Sequence, residues 1–281
     1  MKMPHPLHGK YDSEVITMIE AYYNLKQTPF VKHISPEDIF ISDSSAELHQ
    51  RLQYIKEKRG IMLVTGAPGT GKTLHLRTFV SKLNENLYRF FYIPLSTVNI
   101  LDFYRQLCIS LGEEPRYRKT QLFSCIQRCI RDYVENAKKV PVIIFDEAHL
   151  FKNENFYELQ IITNFQIDSI DPAVFILLGQ PHLRDRLLRT IHQSFNQRIS
   201  LKFHLLPLTK DETSSYIEHH MHLAGASCPV FNPNALAALY QVSGGVPRII
   251  NSLATKALTI GALEKKDSLS EEEIYRASKE L

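Results

Sequence analysis

Two stretches of the 281-residue chain carry the residue types that handle phosphate. Gly66-Ala67-Pro68-Gly69-Thr70-Gly71-Lys72-Thr73 matches G-x-x-x-x-G-K-[ST] at every fixed position. Glycines let the backbone turn so that successive N–H groups point at phosphate oxygens, and the helix start that follows adds its positive dipole end. Lys72 supplies a point charge for the β- and γ-phosphates, and the Thr73 hydroxyl can ligate Mg²⁺. Downstream, Val142-Ile143-Ile144-Phe145-Asp146-Glu147 delivers two carboxylates at the end of an apolar run. Asp146 would hold Mg²⁺, directly or through its water shell, and Glu147 would orient and polarise an attacking water. The implied substrate is ATP, the implied cofactor Mg²⁺, and the implied reaction hydrolysis to ADP and phosphate. Hydrolysis by water needs no Ser or Cys nucleophile, and none stands at motif spacing from a base.

These residues need elements that hold them. Gly60 to Thr65 is a short apolar run, the signature of a buried parallel strand. Further strands are predicted at Tyr88–Leu95, Val140–Phe145, Ala173–Leu178 and Ile199–Leu205. Helical spacing falls at 13–23, 44–58, 72–83, 100–111, 120–135, 155–168 and 182–190. Alternation of this kind argues for a parallel sheet covered on both faces. After Pro207 the strand signals stop. Thr209 and Glu212 form a capping box, Ser270 and Glu273 a second, and Asn232 caps a helix opened by Pro233. The chain therefore divides into an N-terminal arm and linker (1–43), a nucleotide-binding domain (44–207) and an all-α domain of four helices (208–281).

Composition sets bounds. Apolar residues make up 44% and charged residues 22%, with a formal net charge of +3. These values exclude a disordered chain, a collagen and a coiled-coil rod. No apolar run approaches the ~18–20 residues of a membrane span, and Met1 to Pro6 lacks the apolar run of a signal peptide. With Cys108, Cys125, Cys129 and Cys228 in no CxxC pair, the expectation is a reducing cytoplasm and no membrane. Cys125 and Cys129 read as buried small apolar side chains. A small net charge makes any nucleic-acid contact local: residues 61–150 hold 12 basic against 8 acidic, and 207–281 hold 7 against 9.

With these motifs in place the chain resembles AAA+ ATPases: a P-loop α/β fold with a parallel five-stranded sheet between helices, then a small all-α lid. Phe175 to Pro181 looks like the strand ending in the sensor 1 residue, here Gln180. Asn196-Gln197-Arg198-Ile199 stands where the family places its arginine finger, here Arg198. Ser243 to Arg248 resembles the G-x-P-R sensor 2 motif, here Arg248. Pro29-Phe30 and Ile39-Phe40 resemble the segment that covers the adenine. More narrowly, residues from about 20 to 265 resemble the ATPase module of the general secretion pathway protein A family, whose relatives include transposon-encoded ATP-binding regulators. The segments that carry this are Tyr22 to Leu25 with Pro29-Phe30, Thr163-Asn164-Phe165, and Leu178 to Arg184. The secretion relatives continue into a membrane span and a cell-wall-binding region; this chain shows neither, which tilts the expectation toward the transposition regulators.

The resemblance implies an ATP-dependent homo-oligomer, ring or filament, on double-stranded DNA, with a transposase as partner. The alternative is a soluble secretion or envelope-assembly ATPase acting on a protein without DNA. The basic helical insertion between the second and third strands is the expected DNA side, with Arg116, Arg118 and Lys119 the densest patch. Backbone tracking needs such cations and carries little sequence information. Two rival readings are set aside. Asp146-Glu147-Ala148-His149 spells a helicase signature, but no other motif of those helicases is present. Glu218, His219 and His222 share a helical face, but their spacing matches no zinc signature.

Overall fold

The computed structural model describes residues 17–31, 34–94, 99–166 and 169–280. These form two compact units, Asp43–Leu206 and the described parts of segments 17–42 and 207–280.

The first unit is built on five parallel strands: β1 (Gly60–Gly66), β2 (Tyr88–Ile93), β3 (Val140–Phe145), β4 (Val174–Gly179) and β5 (Ile199–Leu205). Their order is β2-β3-β4-β1-β5. Register pairs Leu63 with Leu177, Ile144 with Ile176 and Phe91 with Ile143. A strand alternates its side chains between faces, so a sheet covered on both sides needs apolar residues at every position. Ile61, Leu63, Ile143, Phe145, Phe175 and Leu177 enter one core. Met62, Val64, Val142, Ile144, Ile176 and Leu178 enter the other. The second core is closed by α2 (Asp43–Lys58) and α3 (Lys72–Ser81). The first is closed by α4 (Ile100–Ser110), α5 (Lys119–Glu135), α6 (Asn153–Ile162), α7 (Pro181–Leu187) and α8 (Gln193–Arg198). Because all pairings are parallel, the C-terminal strand ends share one edge, the edge where ligands sit in open α/β sheets.

Two helices differ from the expected spans. The spacing predicts a helix over 155–168, but α6 stops at Ile162 and is capped by Thr163. Phe165 then turns into the core at 4% exposure and bridges Ile170, which the helix would have prevented. The helix predicted over 182–190 ends at Leu187, and a 3-10 turn at Thr190–His192 leads into the unforeseen α8. Buried Phe195 and the 3.0 Å contact of His192 Nε2 with Asn153 Oδ1 hold that turn in place. Cys108, Cys125 and Cys129 are buried and Cys228 is exposed, all as free thiols.

The second unit contains the helical residues 17–22 (α1) with α9 (Lys210–Leu223), α10 (Pro233–Ser243), α11 (Pro247–Glu264) and α12 (Glu271–Ser278). Segment 17–42 thus shares a core with the C-terminal helices: Ile19 and Phe30 pack with Tyr216, Ile217, Leu239, Ile250 and Leu253. The Lys26 N–H donates to Ala224 O at 2.7 Å. Both capping boxes form, Glu212 Oε2 accepting the Thr209 N–H at 2.8 Å and Glu273 Oε2 the Ser270 N–H at 2.7 Å. Asn232 Oδ1 caps α10 through the Ala235 N–H at 2.8 Å. Gly245, at φ +74°, sits so close to Leu208 that an added Cβ would lie 1.9 Å from its carbonyl oxygen, so no larger residue fits there. Among the described residues no helix is long and apolar enough to cross a membrane.

Candidate nucleotide-binding site

The site residues of the first unit meet where β1 and β3 end. β1 passes into the loop 66–73, whose Gly69 and Gly71 adopt φ +84° and +94°, conformations that L side chains rarely take. Gly71 is the N-cap of α3 and has no side chain to offer the first turn, leaving its N–H groups directed at the loop. Thr70 Oγ1 ties the loop together by donating to Ala67 O at 2.9 Å. The Lys72 ammonium donates to Gly66 O at 2.8 Å and Ala67 O at 2.9 Å, so its charge lies over the loop mouth.

Thr73, in the first turn of α3, donates its hydroxyl to Asp146 Oδ2 at 3.1 Å. Asp146 is 6% exposed, and its Oδ1 accepts the Glu147 N–H at 2.8 Å. Glu147 sits at φ +52°, a left-handed conformation that turns the chain sharply out of β3 and leaves its carboxylate about half exposed. Strain of this kind, of order 1–3 kcal/mol, concentrates at functional sites.

Two residues escaped the sequence reading. Tyr92, near the end of β2, donates its hydroxyl to Asp146 Oδ2 at 2.8 Å. Burial, and then the bond to Asp146, push its phenol well above the ordinary tyrosine range, so it stays a donor. His149 is buried, and its Nδ1 lies 3.3 Å from Glu147 Oε2. Burial holds its imidazole below the ordinary histidine range, opposed by Glu147 and assisted by His182, Lys72 and Arg186. Tyr92 could have been found only by knowing that β2 lies beside β3. His149 was in view as a motif letter, but one without a physical role.

The other expected residues are placed as follows. Gln180 stands at the N-cap of α7, and its side chain makes no cap bond. Arg198 closes α8 and donates to Gln160 O at 3.1 Å and Thr163 Oγ1 at 3.3 Å. Arg248 is exposed in the first turn of α11, within the second unit. Pro29 and Phe30 are buried in that unit, Phe30 with its ring 5.4 Å from His220 and 6.4 Å from Phe231. His220 packs 4.4 Å from Tyr216, and His219 Nε2 contacts Asp38 O at 2.6 Å, so these consecutive histidines have separate duties.

The basic patch is exposed throughout, and one of its cations is paired. Arg116 and Arg118 are exposed, and Tyr117 between them is 89% exposed. Lys119 instead pairs with Glu158 at 2.5 Å, and the same carboxylate accepts the Tyr104 hydroxyl at 2.8 Å. Glu158 is 7% exposed, while the Lys119 side chain that pairs with it is 46% exposed and stays at the surface.

The geometry fits Mg²⁺ and a triphosphate. Thr73 and Asp146 offer hard oxygens, which match that cation, while Lys72 and the loop amides suit anionic oxygens. Residues 55–187 match the family model described as an AAA domain. Over 245 residues the chain is 29% identical to general secretion pathway protein A of Aeromonas hydrophila, covering 86% of this chain and 44% of that one. It therefore spans less than half the length of this curated relative. Among solved structures it is similar to Cdc6p from Pyrobaculum aerophilum, with a TM-score of 0.64, 14% identity and coverage of 88% of this chain and 71% of that one. It is also similar to Drosophila ORC bound to DNA, with a TM-score of 0.64, 16% identity and coverage of 99% and 67%. At these identities the structural likeness speaks for the fold. The segment 55–187 thus resembles an AAA domain, and the chain resembles general secretion pathway protein A over most of its own length.

Proposed function

We propose that the protein binds and hydrolyses ATP with Mg²⁺, assembles with its own copies on double-stranded DNA, and regulates a transposase. The observation that carries the nucleotide chemistry is the meeting of Lys72, Thr73 and Asp146 at one strand edge. In this reading the amides of 66–73, including those of Gly66, Ala67, Gly69, Thr70 and Gly71, cradle the phosphates, and Lys72 neutralises the β- and γ-oxygens. Pro68 has no N–H to offer and shapes the turn. Thr73 and Asp146 hold Mg²⁺, which, when bound, offsets charge on the phosphates. Glu147, turned outward by its left-handed backbone, orients the water and takes its proton. Gln180, on the neighbouring strand end, lines the γ-phosphate side. The family resemblance assigns Arg198 to the site of a neighbouring copy, Arg248 to the nucleotide, and Pro29 and Phe30 to its adenine side.

Support for DNA comes from the exposed cations Arg116 and Arg118 and from the fold shared with a protein solved on DNA. Transposase regulation rests on the family resemblance. The test is a mobility shift with duplex DNA at low salt. ATP-dependent retardation that Lys72→Ala abolishes is expected; indifference to DNA in both nucleotide states would overturn the DNA part.

The 29% identity to a secretion protein favours one second reading, an assembly ATPase acting on a protein partner. It predicts ATP-dependent oligomers whose size and turnover do not respond to DNA.

A further inference from the structure

We propose that Tyr92 is a positioning residue for Asp146, holding that carboxylate in its cation-binding orientation through the hydroxyl; this rests on the Mg-ATP reading above. Donors from three different elements reach the two oxygens of Asp146. Oδ1 takes the Glu147 N–H, and Oδ2 takes both the Thr73 hydroxyl at 3.1 Å and the Tyr92 hydroxyl at 2.8 Å. The two hydroxyls on Oδ2 differ in kind. Thr73 is itself a cation ligand in the proposed reading, so its hydroxyl is shared between the carboxylate and the metal. Tyr92 is not a ligand, and its bond to Oδ2 is the one that persists whatever Thr73 does.

The placement of Tyr92 points the same way. β2 is an edge strand, and Tyr92 pairs in register with Ile144, two positions before Asp146. The residue is 40% exposed, so burial of apolar surface is a weak reason for an aromatic there. Its oxygen, by contrast, makes a short bond into the site. Phe90 and Tyr92 lie on the same side of β2, their rings 6.4 Å apart, and only the tyrosine reaches a carboxylate. Partners that orient ligating carboxylates change metal affinity by about 10–100-fold when removed.

The test measures binding of a fluorescent ATP analogue to the full chain, once with Mg²⁺ and once with EDTA. Wild-type protein is expected to bind more tightly with Mg²⁺. Tyr92→Phe, which deletes one oxygen, should cut that Mg²⁺-dependent gain by about 10-fold while leaving the affinity in EDTA unchanged. Tyr92→Leu, which also removes the ring, should show the same loss. A gain in Tyr92→Phe equal to that of wild type would overturn the proposal, as would a loss confined to Tyr92→Leu, which would assign the effect to ring packing. A wild-type protein with no Mg²⁺-dependent gain would overturn the Mg-ATP reading itself, and the role of Tyr92 with it. A general folding defect would lower affinity in EDTA equally, which also overturns positioning.

Discussion

The Thr73 hydroxyl donates to Asp146 Oδ2 at 3.1 Å, joining the first turn of α3 to the C-terminal end of β3 across 73 positions of sequence. Neither residue contacts the other through chain proximity. The parallel order β3-β4-β1 brings the two strand ends to one edge, and the loop 66–73 turns the threonine back over it. The Lys72 charge on the Gly66 and Ala67 carbonyls completes the grouping.

Lys72→Ala should reduce ATP affinity by about 10–100-fold, the worth of one or two charge-assisted hydrogen bonds at ~1.5–3 kcal/mol in total. Isothermal titration would measure it. Unchanged affinity would remove the loop from nucleotide binding.

Glu147→Gln should keep ATP binding and lose turnover by about 10²–10⁴-fold, the usual contribution of a positioned base. Single-turnover hydrolysis under saturating ATP separates the two quantities. Turnover equal to that of the parent would dismiss Glu147 as the base.

Arg198 is tied to Gln160 and Thr163 at the end of α6 in its own chain. If it serves a neighbouring copy, turnover per molecule should climb with protein concentration. Arg198→Ala should then lower the plateau by about 10³-fold or more. A variant with normal turnover and a lower melting temperature would reduce Arg198 to a local staple.

Arg116→Ala and Arg118→Ala should each weaken DNA binding and lower the slope of log affinity against log salt by about 1. Lys119→Ala should instead destabilise the fold by about 1 kcal/mol, since its half-exposed ammonium pairs with the Glu158 carboxylate. Salt-dependent binding isotherms and urea melts of the three variants distinguish these roles.

Acid should weaken both units. Burial, aided by His49, holds His75 at about 4 against an ordinary 6.5. Burial, aided by His219, holds His220 at about 4. Below pH 6.5 the unfolded chain takes up protons that the folded chain refuses until about pH 4. Stability is therefore full above pH 6.5 and is lost as pH falls toward 4, by at most about 3 kcal/mol per histidine. His75→Gln should flatten the fall in melting temperature between pH 7 and pH 5. An equally steep fall would show that other groups govern it.

Strands β3 and β5 begin and end where their apolar runs do, and the capping residues Thr209, Asn232 and Ser270 open their helices as read. Such features are legible because the cause is local: a run buried on both faces in β3, alternating apolar positions in β5, or a side chain reaching three residues ahead. The stop of α6 at Ile162 and the appearance of α8 were not legible. Their causes are Phe165 and Phe195 entering a core that exists only after the helices meet. Lys119 shows the same limit. In sequence it belongs to a basic run, and only packing supplies the Glu158 carboxylate that pairs with it.

The residues at 66–73 and 146–147 determined by themselves that this chain carries a G-x-x-x-x-G-K-T loop and an acidic strand end, because each is set by neighbours in sequence. The tertiary structure alone decided which side chains stand between them. Tyr92 reaches Asp146 because β2 lies beside β3, and His149 reaches Glu147 because a left-handed residue folds the chain back. Strand order and backbone hand are properties of the assembled sheet, and no local spacing encodes them.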